Sequence, residues 1–477
     1  MANENLKQQT KRGLYWQFLN QFSNYGIQFI IGIFMARLLS PEDYGITALP
    51  AVFMAVAGVF IEGGFGDALV RKPELKEEDL STAFFYAMSV GILCYIIIFF
   101  SSPWIADFYN TPVLEKIMRI TALTFLWGPL GTPQGVLLKR KLNFKTPTKI
   151  GIICKIFSGI VGISLALTGF GLWALVISGL FSGILGLSLT WYVVRWYPKT
   201  GWSKTSFKYL WGYGNKIIGS YLIGNIYENI APVIIGKYMS PFDLGIFNRA
   251  QNYASMPSKN LTGTIQSVSF PVISKIQDDE VTLALTYRKL LRSTAFVVFP
   301  TMMLLSALSR PLVITMVTIK WEACIILLQI MCFSMMWYPI HAINLNLLMV
   351  KGRTDLFFRL EMIKRGMGLL ILIITLPIGL VAFCLGGLVG SIFSLIVNTY
   401  YTGKLIHCGF IRQIKELTHI LLLSGIMFSA IIFVNQFIEN YIVQLVVGVI
   451  IGGVIYIGGA ITFHFSELNE VKYMLRK

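Results

Sequence analysis

Charge is what this 477-residue chain is short of: only 13% of its residues are Asp, Glu, Lys or Arg. A soluble domain carries about a quarter, so a soluble globular protein is excluded. No long polar stretch is left over for a sizeable extramembrane domain. No G-x-x-x-x-G-K-[ST] phosphate loop occurs, which excludes ATP hydrolysis by this chain. No H-E-x-x-H is present and no Ser/His/Asp set stands out, so neither zinc-dependent nor serine-dependent catalysis has a home. The four histidines are dispersed and receive no role. The six cysteines (Cys94, Cys154, Cys324, Cys332, Cys384, Cys408) form no C-x-x-C and lie in apolar segments. They are expected as packing residues, with no metal and no cofactor to hold. The polar start, Met1 to Thr10, lacks a signal peptide's short apolar region and A-x-A site, so the first span is expected to remain.

What the chain has instead is apolar length. Hydrophobic residues make up 55% of it, with a mean hydropathy of +0.68. They come in blocks of roughly twenty, enough to cross a ~30 Å hydrocarbon core as helix. About fourteen spans are expected on that length rule. They lie near 14–39, 44–62, 82–104, 113–136, 150–168, 170–194, 213–238 and 244–270, then near 286–308, 322–349, 362–382, 384–406, 417–437 and 441–463. The fold class is all-α integral membrane. The net charge of +17 invites nucleic acid. The basic residues, however, sit in short loops between apolar blocks, which is the positive-inside bias of a multi-span protein, so no nucleic-acid partner is expected. Clusters such as Lys139, Arg140, Lys141, Lys145 and Lys149, and Lys351, Arg353, Arg359, Lys364 and Arg365, fall on one side. An odd error in the span count would scramble that alternation. Both termini are therefore expected in the cytoplasm.

One turn occurs twice. Leu39-Ser40-Pro41-Glu42-Asp43-Tyr44-Gly45-Ile46 reappears as Met239-Ser240-Pro241-Phe242-Asp243-Leu244-Gly245-Ile246, and Arg37 maps onto Lys237. In each, Pro fixes φ, Asp caps the next helix and Gly opens the bend. Pro103 with Pro311, and Lys139-x-Lys141-x-Asn143 with Lys351-x-Arg353-x-Asp355, extend the correspondence. Each half then holds an even number of spans, so the halves are parallel repeats with a substrate path at their interface. The expected order is six spans, six spans and a terminal pair: a lobe over 1–200, a lobe over 201–409, and a helix pair with a cytoplasmic tail over 410–477.

Polar residues inside spans are costly and point to helix contacts or a wet cavity. On the first span Gln17, Gln21, Asn24 and Gln28 share a face, with Asn20 beside it. On the seventh, Tyr221, Asn225 and Glu228 do the same, with Asn229 close by. The eighth carries Asn248, Asn252, Ser255, Lys259, Thr262 and Gln266 at alternating steps of four and three. Two readings stay open: interhelical hydrogen bonds, or the lining of a path. Glu228 and Lys259 are expected near mid-membrane. They form either a structural pair or an anion site (Lys259) and a proton-responsive group (Glu228). Arg37, Lys237 and Arg249 lie near the outer surface and Lys155 and Lys216 near the inner one, where snorkelling suffices to explain them. Gly179/Gly183 and Gly386/Gly390 have the spacing of tight helix contacts.

The chain resembles bacterial polysaccharide exporters of the Wzx type, within the multidrug/oligosaccharidyl-lipid/polysaccharide superfamily. The likeness is strongest to the colanic-acid and teichuronic-acid exporter branch. It rests on Ala36-Arg37-Leu38-Leu39 with its S-P-E-D-Y-G turn, Gly64-Phe65-Gly66-Asp67-Ala68-Leu69-Val70-Arg71-Lys72, the stretch Ser269 to Asp279, and Lys320-Trp321. The resemblance implies two six-helix lobes around a central cavity, like those of multidrug and toxic-compound extruders, in a bacterial inner membrane. It also implies export of an undecaprenyl-diphosphate-linked oligosaccharide by alternating access. Membrane lipids and the polymerase and glycosyltransferases of the same pathway are the implied partners. In that setting Lys259, with Arg249 and Arg37, is expected to hold the diphosphate. Gln21, Asn24, Gln28, Asn225 and Asn252 are expected to meet the sugar, and Glu228 to couple transport. The rival reading is a multidrug cation antiporter of the same fold.

Overall fold

The computed structural model describes residues 16, 19, 23–468 and 470. Its first helix, α1, covers residues 23–38. There follow α2 (Pro41–Ala48), α3 (Ala51–Glu62), α4 (Phe65–Arg71), α5 (Glu77–Phe108), α6 (Val113–Ala122), α7 (Thr124–Trp127), α8 (Thr132–Arg140), α9 (Lys145–Leu167), α10 (Trp173–Val194) and α11 (Lys204–Tyr238). Next come α12 (Pro241–Lys275), α13 (Glu280–Ala307), α14 (Ser309–Val317), α15 (Cys324–Met335), α16 (Tyr338–Val350), α17 (Thr354–Thr375), α18 (Leu380–Ile406), α19 (Phe410–Asn435) and α20 (Tyr441–Thr462). Among the described residues nine helices are long and apolar enough to cross a membrane, Pro41–Arg71 counting as one. The segment expected to span at 113–136 is broken into α6, α7, a single 3-10 turn and α8, where Pro129 and Pro133 interrupt the hydrogen-bond ladder. α11 and α12 are each 35 residues long, ample for a crossing, but carry the polar stripes.

By its internal contacts the chain divides into two compact units, Met1–Gly245 and Ile246–Lys477. In the first, the repeated turns have the same local chemistry. Ser40 accepts from the Asp43 amide at 3.1 Å, while Asp43 accepts from the Ser40 amide at 2.9 Å. Ser240 and Asp243 repeat both bonds at 3.1 Å. These capping boxes satisfy amides that the first turns of α2 and α12 leave unpaired. The two turns also meet. A Cβ on Gly45 would lie 1.7 Å from the carbonyl oxygen of Pro241, and one on Gly245 would lie 1.9 Å from that of Pro41. Each glycine therefore receives the other turn's first helical residue, backbone on backbone.

α11 belongs to this unit at both of its ends. Gly236 lies against Leu49 and Tyr109, and Lys237 donates to the Phe108 carbonyl at the C-terminus of α5. Toward its other end, a Cβ on Gly214 would come within 2.1 Å of the Gly63 carbonyl. Gly63 and Gly64 are both left-handed (φ 56° and 67°), which separates α3 from α4 and opens the space α11 fills. The glycine-permitted hairpin between α9 and α10 is present, with Gly169 and Gly171 at positive φ.

The second unit is built around α13. Leu283, Tyr287, Leu291, Ala295, Val298, Phe299 and Met302 are all fully buried, a continuous face that the neighbouring helices cover, while Val281 and Leu285 on the other side are exposed. α19 lies along it. α20 closes on α19 and α13 through small residues: Cβ atoms on Gly448 and Gly459 would sit 2.6 Å from Leu308 and Leu423. Gly386 and Gly390 contact Ile371 as their spacing suggests. Gly183 faces the Trp127 ring nitrogen, but Gly179 faces open space, so that pair makes half the expected contact. All six cysteines are free thiols in the packing.

Beyond α20 the chain turns back onto α13 and α19. Arg292 reaches Glu416 at 3.5 Å and Glu467 at 3.4 Å, His419 reaches Glu467 at 3.4 Å, and Lys289 reaches Glu470 at 3.3 Å. Arg288 pairs with Glu416 as well. Burial works to raise the pKa of Glu467. The His419 hydrogen bond, the backbone amide and the charges of His419 and Arg292 outweigh it, leaving the carboxyl below its usual 4.5.

Two outcomes follow for this fold. Gly245→Ala should cost about 3 kcal/mol of stability, because its methyl displaces a carbonyl that cannot move alone, whereas Gly179→Ala should be neutral. Thermal unfolding of the detergent-solubilised protein compares them, and equal melting would remove the close contact. The depressed carboxyl of Glu467 stabilises tail docking above the usual carboxylate value, and that contribution is lost as pH falls through the lower folded value. Proteolysis of the C-terminal segment should therefore rise below about pH 4, and Glu467→Gln should expose the same segment at neutral pH.

Candidate functional site

In the first unit the polar face of α1 meets a cation. Gln17, Asn20 and Gln21 lie outside the described residues, but Asn24 and Gln28 are in place. Lys155 of α9 donates from Nζ to the Gln28 Oε1 at 3.2 Å and to the Asn24 carbonyl at 3.4 Å. α1 and α9 run side by side in the same direction. Thr148 Oγ1 bonds the Trp16 carbonyl, a Cβ on Gly159 would press on Ile31, and Gly162 lies beside Met35. Small residues on α9 thus bring the helices close enough for Lys155 to reach across.

Lys155 is the eleventh of the 23 residues of α9. At 1.5 Å per residue its Cα lies about 15 Å from the helix start, near the middle of the helix. The helix begins at Lys145, earlier than the apolar run does, which puts Lys155 well inside the helix. Lys155 is half-buried and Gln28 exposed on the unit, so the ammonium keeps room for a ligand. A tie between helices needs no charge, since a neutral side chain would make it with less desolvation.

On α11, Asn225 and Asn229 donate to the carbonyls of Tyr221 and Asn225 at 2.9 and 2.8 Å, one turn back on their own helix. Tyr221 donates to Asp67 at 3.4 Å. Glu228 is exposed on this unit, and so is Arg37 at the end of α1.

In the second unit the stripe of α12 divides. Asn252 and Lys259 are exposed. Thr262 is turned inward, donating to the Ser258 carbonyl at 2.6 Å, and Ser258 donates to the Met335 carbonyl at 2.7 Å. The face that binds α15 is thus one residue round from the stripe. Arg249 lies over the rings of Tyr253 and Trp321, 5.1 and 5.2 Å from their centroids. Trp321 is fully buried. The guanidinium is thereby held between two aromatic faces, a role in packing that its interfacial position did not reveal.

A buried polar cluster escaped the sequence reading altogether. Gln413 of α19 donates to Asn344 at 3.0 Å, to Tyr287 at 3.1 Å and to the Cys408 carbonyl at 2.9 Å. Thr402 donates to Asn344 at 2.7 Å, and His341 contacts Ser391 at 3.0 Å. These residues come from α13, α16, α18 and α19 and share no helical face or local spacing, so no periodicity announces them. They satisfy one another and pin α19 to the bundle.

Residues 34–326 match the model of a family described as polysaccharide biosynthesis protein. Over 356 residues the chain is 25% identical to the teichuronic acid biosynthesis protein TuaB of Bacillus subtilis (strain 168), which covers 74% of each chain. The solved structure of the lipid II flippase MurJ in an inward closed conformation superposes with a TM-score of 0.73 at 20% identity, over 94% of this chain and 99% of that one. An inward-facing multidrug resistance MATE family transporter of the MOP superfamily gives 0.58 at 12% identity, over 81% and 98%. The fold is therefore the all-helical, multi-span architecture expected from the sequence, shared with both.

Proposed function

Since the chain belongs to the polysaccharide biosynthesis protein family, we propose that it flips an undecaprenyl-diphosphate-linked oligosaccharide from the inner to the outer leaflet of a bacterial cytoplasmic membrane. Fourteen crossings in a six, six and two order, with lobes over 1–200 and 201–409, a terminal pair over 410–477 and both ends inside, complete the reading. The twin capping boxes support the duplication. A substrate path between the lobes, opened alternately to each side, would let the lipid tail stay in the bilayer while the head group crosses.

The observation that carries the reading is Lys155. A diphosphate moving through a low-dielectric path needs a positive charge with hydrogen-bond donors beside it. Lys155 supplies the charge at mid-helix, and the side-chain amide of Gln28 stands next to it for phosphate or sugar hydroxyls, with Asn24 one turn away on the same helix. Lys259, Asn252, Asn225, Arg37 and Gln21 are the further residues of the proposed site. Arg249 orders α12 through its two rings. A cation antiporter would gain nothing from a lysine here, because like charges repel at this depth. Glu228 is the proposed proton-responsive group.

Lys155→Met should lower export of the lipid-linked oligosaccharide about 10- to 100-fold, the loss of one charge-assisted hydrogen bond, with Lys155→Arg retaining most of it. Surface polysaccharide at matched protein level reads this out, and full export by Lys155→Met removes the residue from the site. For Glu228, collapsing the pH gradient with an ionophore should slow the parent protein and leave Glu228→Gln unaffected. Equal slowing of both would take Glu228 out of the coupling step.

A further inference from the structure

A second feature of the first unit lies outside the α1–α9 site. Where α4 ends and α11 begins, a cleft of 480 Å³ is lined by Ala68, Arg71, Pro73, Tyr209, Gly212, Tyr213 and Lys216. It has two cations, two phenol rings and no carboxylate. The adjoining cleft, of 220 Å³, holds Glu62 and Asp67, so the absence of acid is a property of this cleft and not of the whole surface.

The cations are presented, not consumed. The last carbonyls of α4 would ordinarily draw in a nearby basic side chain. Here Arg140 of α8 takes that part, donating to the carbonyls of Leu69 and Pro73 at 2.9 Å, to Val70 at 3.4 Å and to Lys72. Lys72 is neutralised by Asp79, fully buried, at 2.7 Å, and its ammonium lies over the Tyr209 ring, 4.9 Å from the ring centre. Arg71 is left over Tyr213, 5.4 Å from the ring centre. Tyr209, Tyr213 and Lys216 follow at steps of four and three, one face of α11. Among the described residues neither Arg71 nor Lys216 forms an ion pair.

The surroundings give the depth. Tyr197, Trp202, Tyr209 and Trp211 are all exposed around the α10–α11 connection. Tyr and Trp gather in this way at the level of lipid head groups. We propose that this cleft binds the phosphate of a lipid head group, with Arg71 and Lys216 pairing its oxygens and the two tyrosines flanking it. The ligand chemistry is a phosphate ester on a lipid. Two molecules of a bacterial membrane offer it: a phospholipid such as phosphatidylglycerol, and a polyprenyl diphosphate. The site stands apart from the Lys155 reading, and neither depends on the other.

Two variants test it by different means. Arg71→Gln/Lys216→Gln removes the charge and keeps the space. Gly212→Leu fills the cleft and keeps the charge; no atom lies within 4 Å of the position its Cβ takes, so the fold tolerates it. Native mass spectrometry of the purified protein, titrated with phosphatidylglycerol in one arm and undecaprenyl diphosphate in the other, reads the retained lipid. At least one of the two probes should be held about 10-fold more weakly by both variants than by the parent protein. If only phosphatidylglycerol responds, the cleft is a membrane-lipid site; if undecaprenyl diphosphate responds or displaces phosphatidylglycerol, it is a docking site for the carrier. Equal retention of both probes by the parent and both variants overturns the proposal.

Discussion

Two glycines held against each other's turn set the terms for the first unit. Gly45 and Gly245 each accept the carbonyl of the opposite turn's proline where any side chain would stand. Three separate chemical demands meet there. Proline at the first helical position fixes φ and has no amide to leave unpaired, the Ser/Asp box satisfies the remaining donors, and glycine alone permits the approach. A turn written twice in the sequence is, in three dimensions, a turn that packs on its own copy. α11 is then secured by glycines again, at Gly214 and Gly236, and by the Lys237 cap on α5.

Polar groups in the spans divide by what satisfies them. Asn225 and Asn229 turn back to carbonyls of their own helix, which removes their cost without a partner. Ser258 and Thr262 serve helix packing. Gln413, Asn344, Thr402 and Tyr287 close a network among four helices and need nothing from outside. Lys155 differs because its partners are neutral oxygens and its charge is uncompensated by them. In a medium that penalises an isolated cation, this is the group that gains most from an anionic ligand. The same contrast separates Arg71 and Lys216 from Lys72, whose charge is spent on buried Asp79.

The terminal helices are held by chemistry unlike that of the rest. Glycines on α20 give it close apolar contact, yet the lasting specificity comes from polar bonds. Gln413 reaches into the bundle, and Glu467 and Glu470 bring the tail onto the basic face of α13. Such bonds fix one register among many that apolar surfaces alone would allow. Arg288, Lys289 and Arg292, at the start of the span expected over 286–308, are therefore structural groups.

Much of this was legible in the residues alone. Apolar runs of spanning length and scarce charge dictate a helical bundle in a membrane, because lipid offers backbone groups no other partner. The repeated S-P-x-D-x-G-I turn dictates its capping, since each residue acts on neighbours a few positions away. Site residues are another matter. Where Lys155 falls along its helix depends on where α9 starts, and Lys145 to Lys149 are too polar to reveal that start in a hydropathy reading. Which cation is engaged depends on rings far along the chain: Trp321 comes to Arg249 only through packing. The sequence by itself determined the elements, their caps and their solvent. Only the tertiary structure decided that Lys155 meets α1, that Arg249 is held between two rings and that Arg71 is left available. Depth and partnership in a bundle are set by contacts between helices, and no local spacing encodes those.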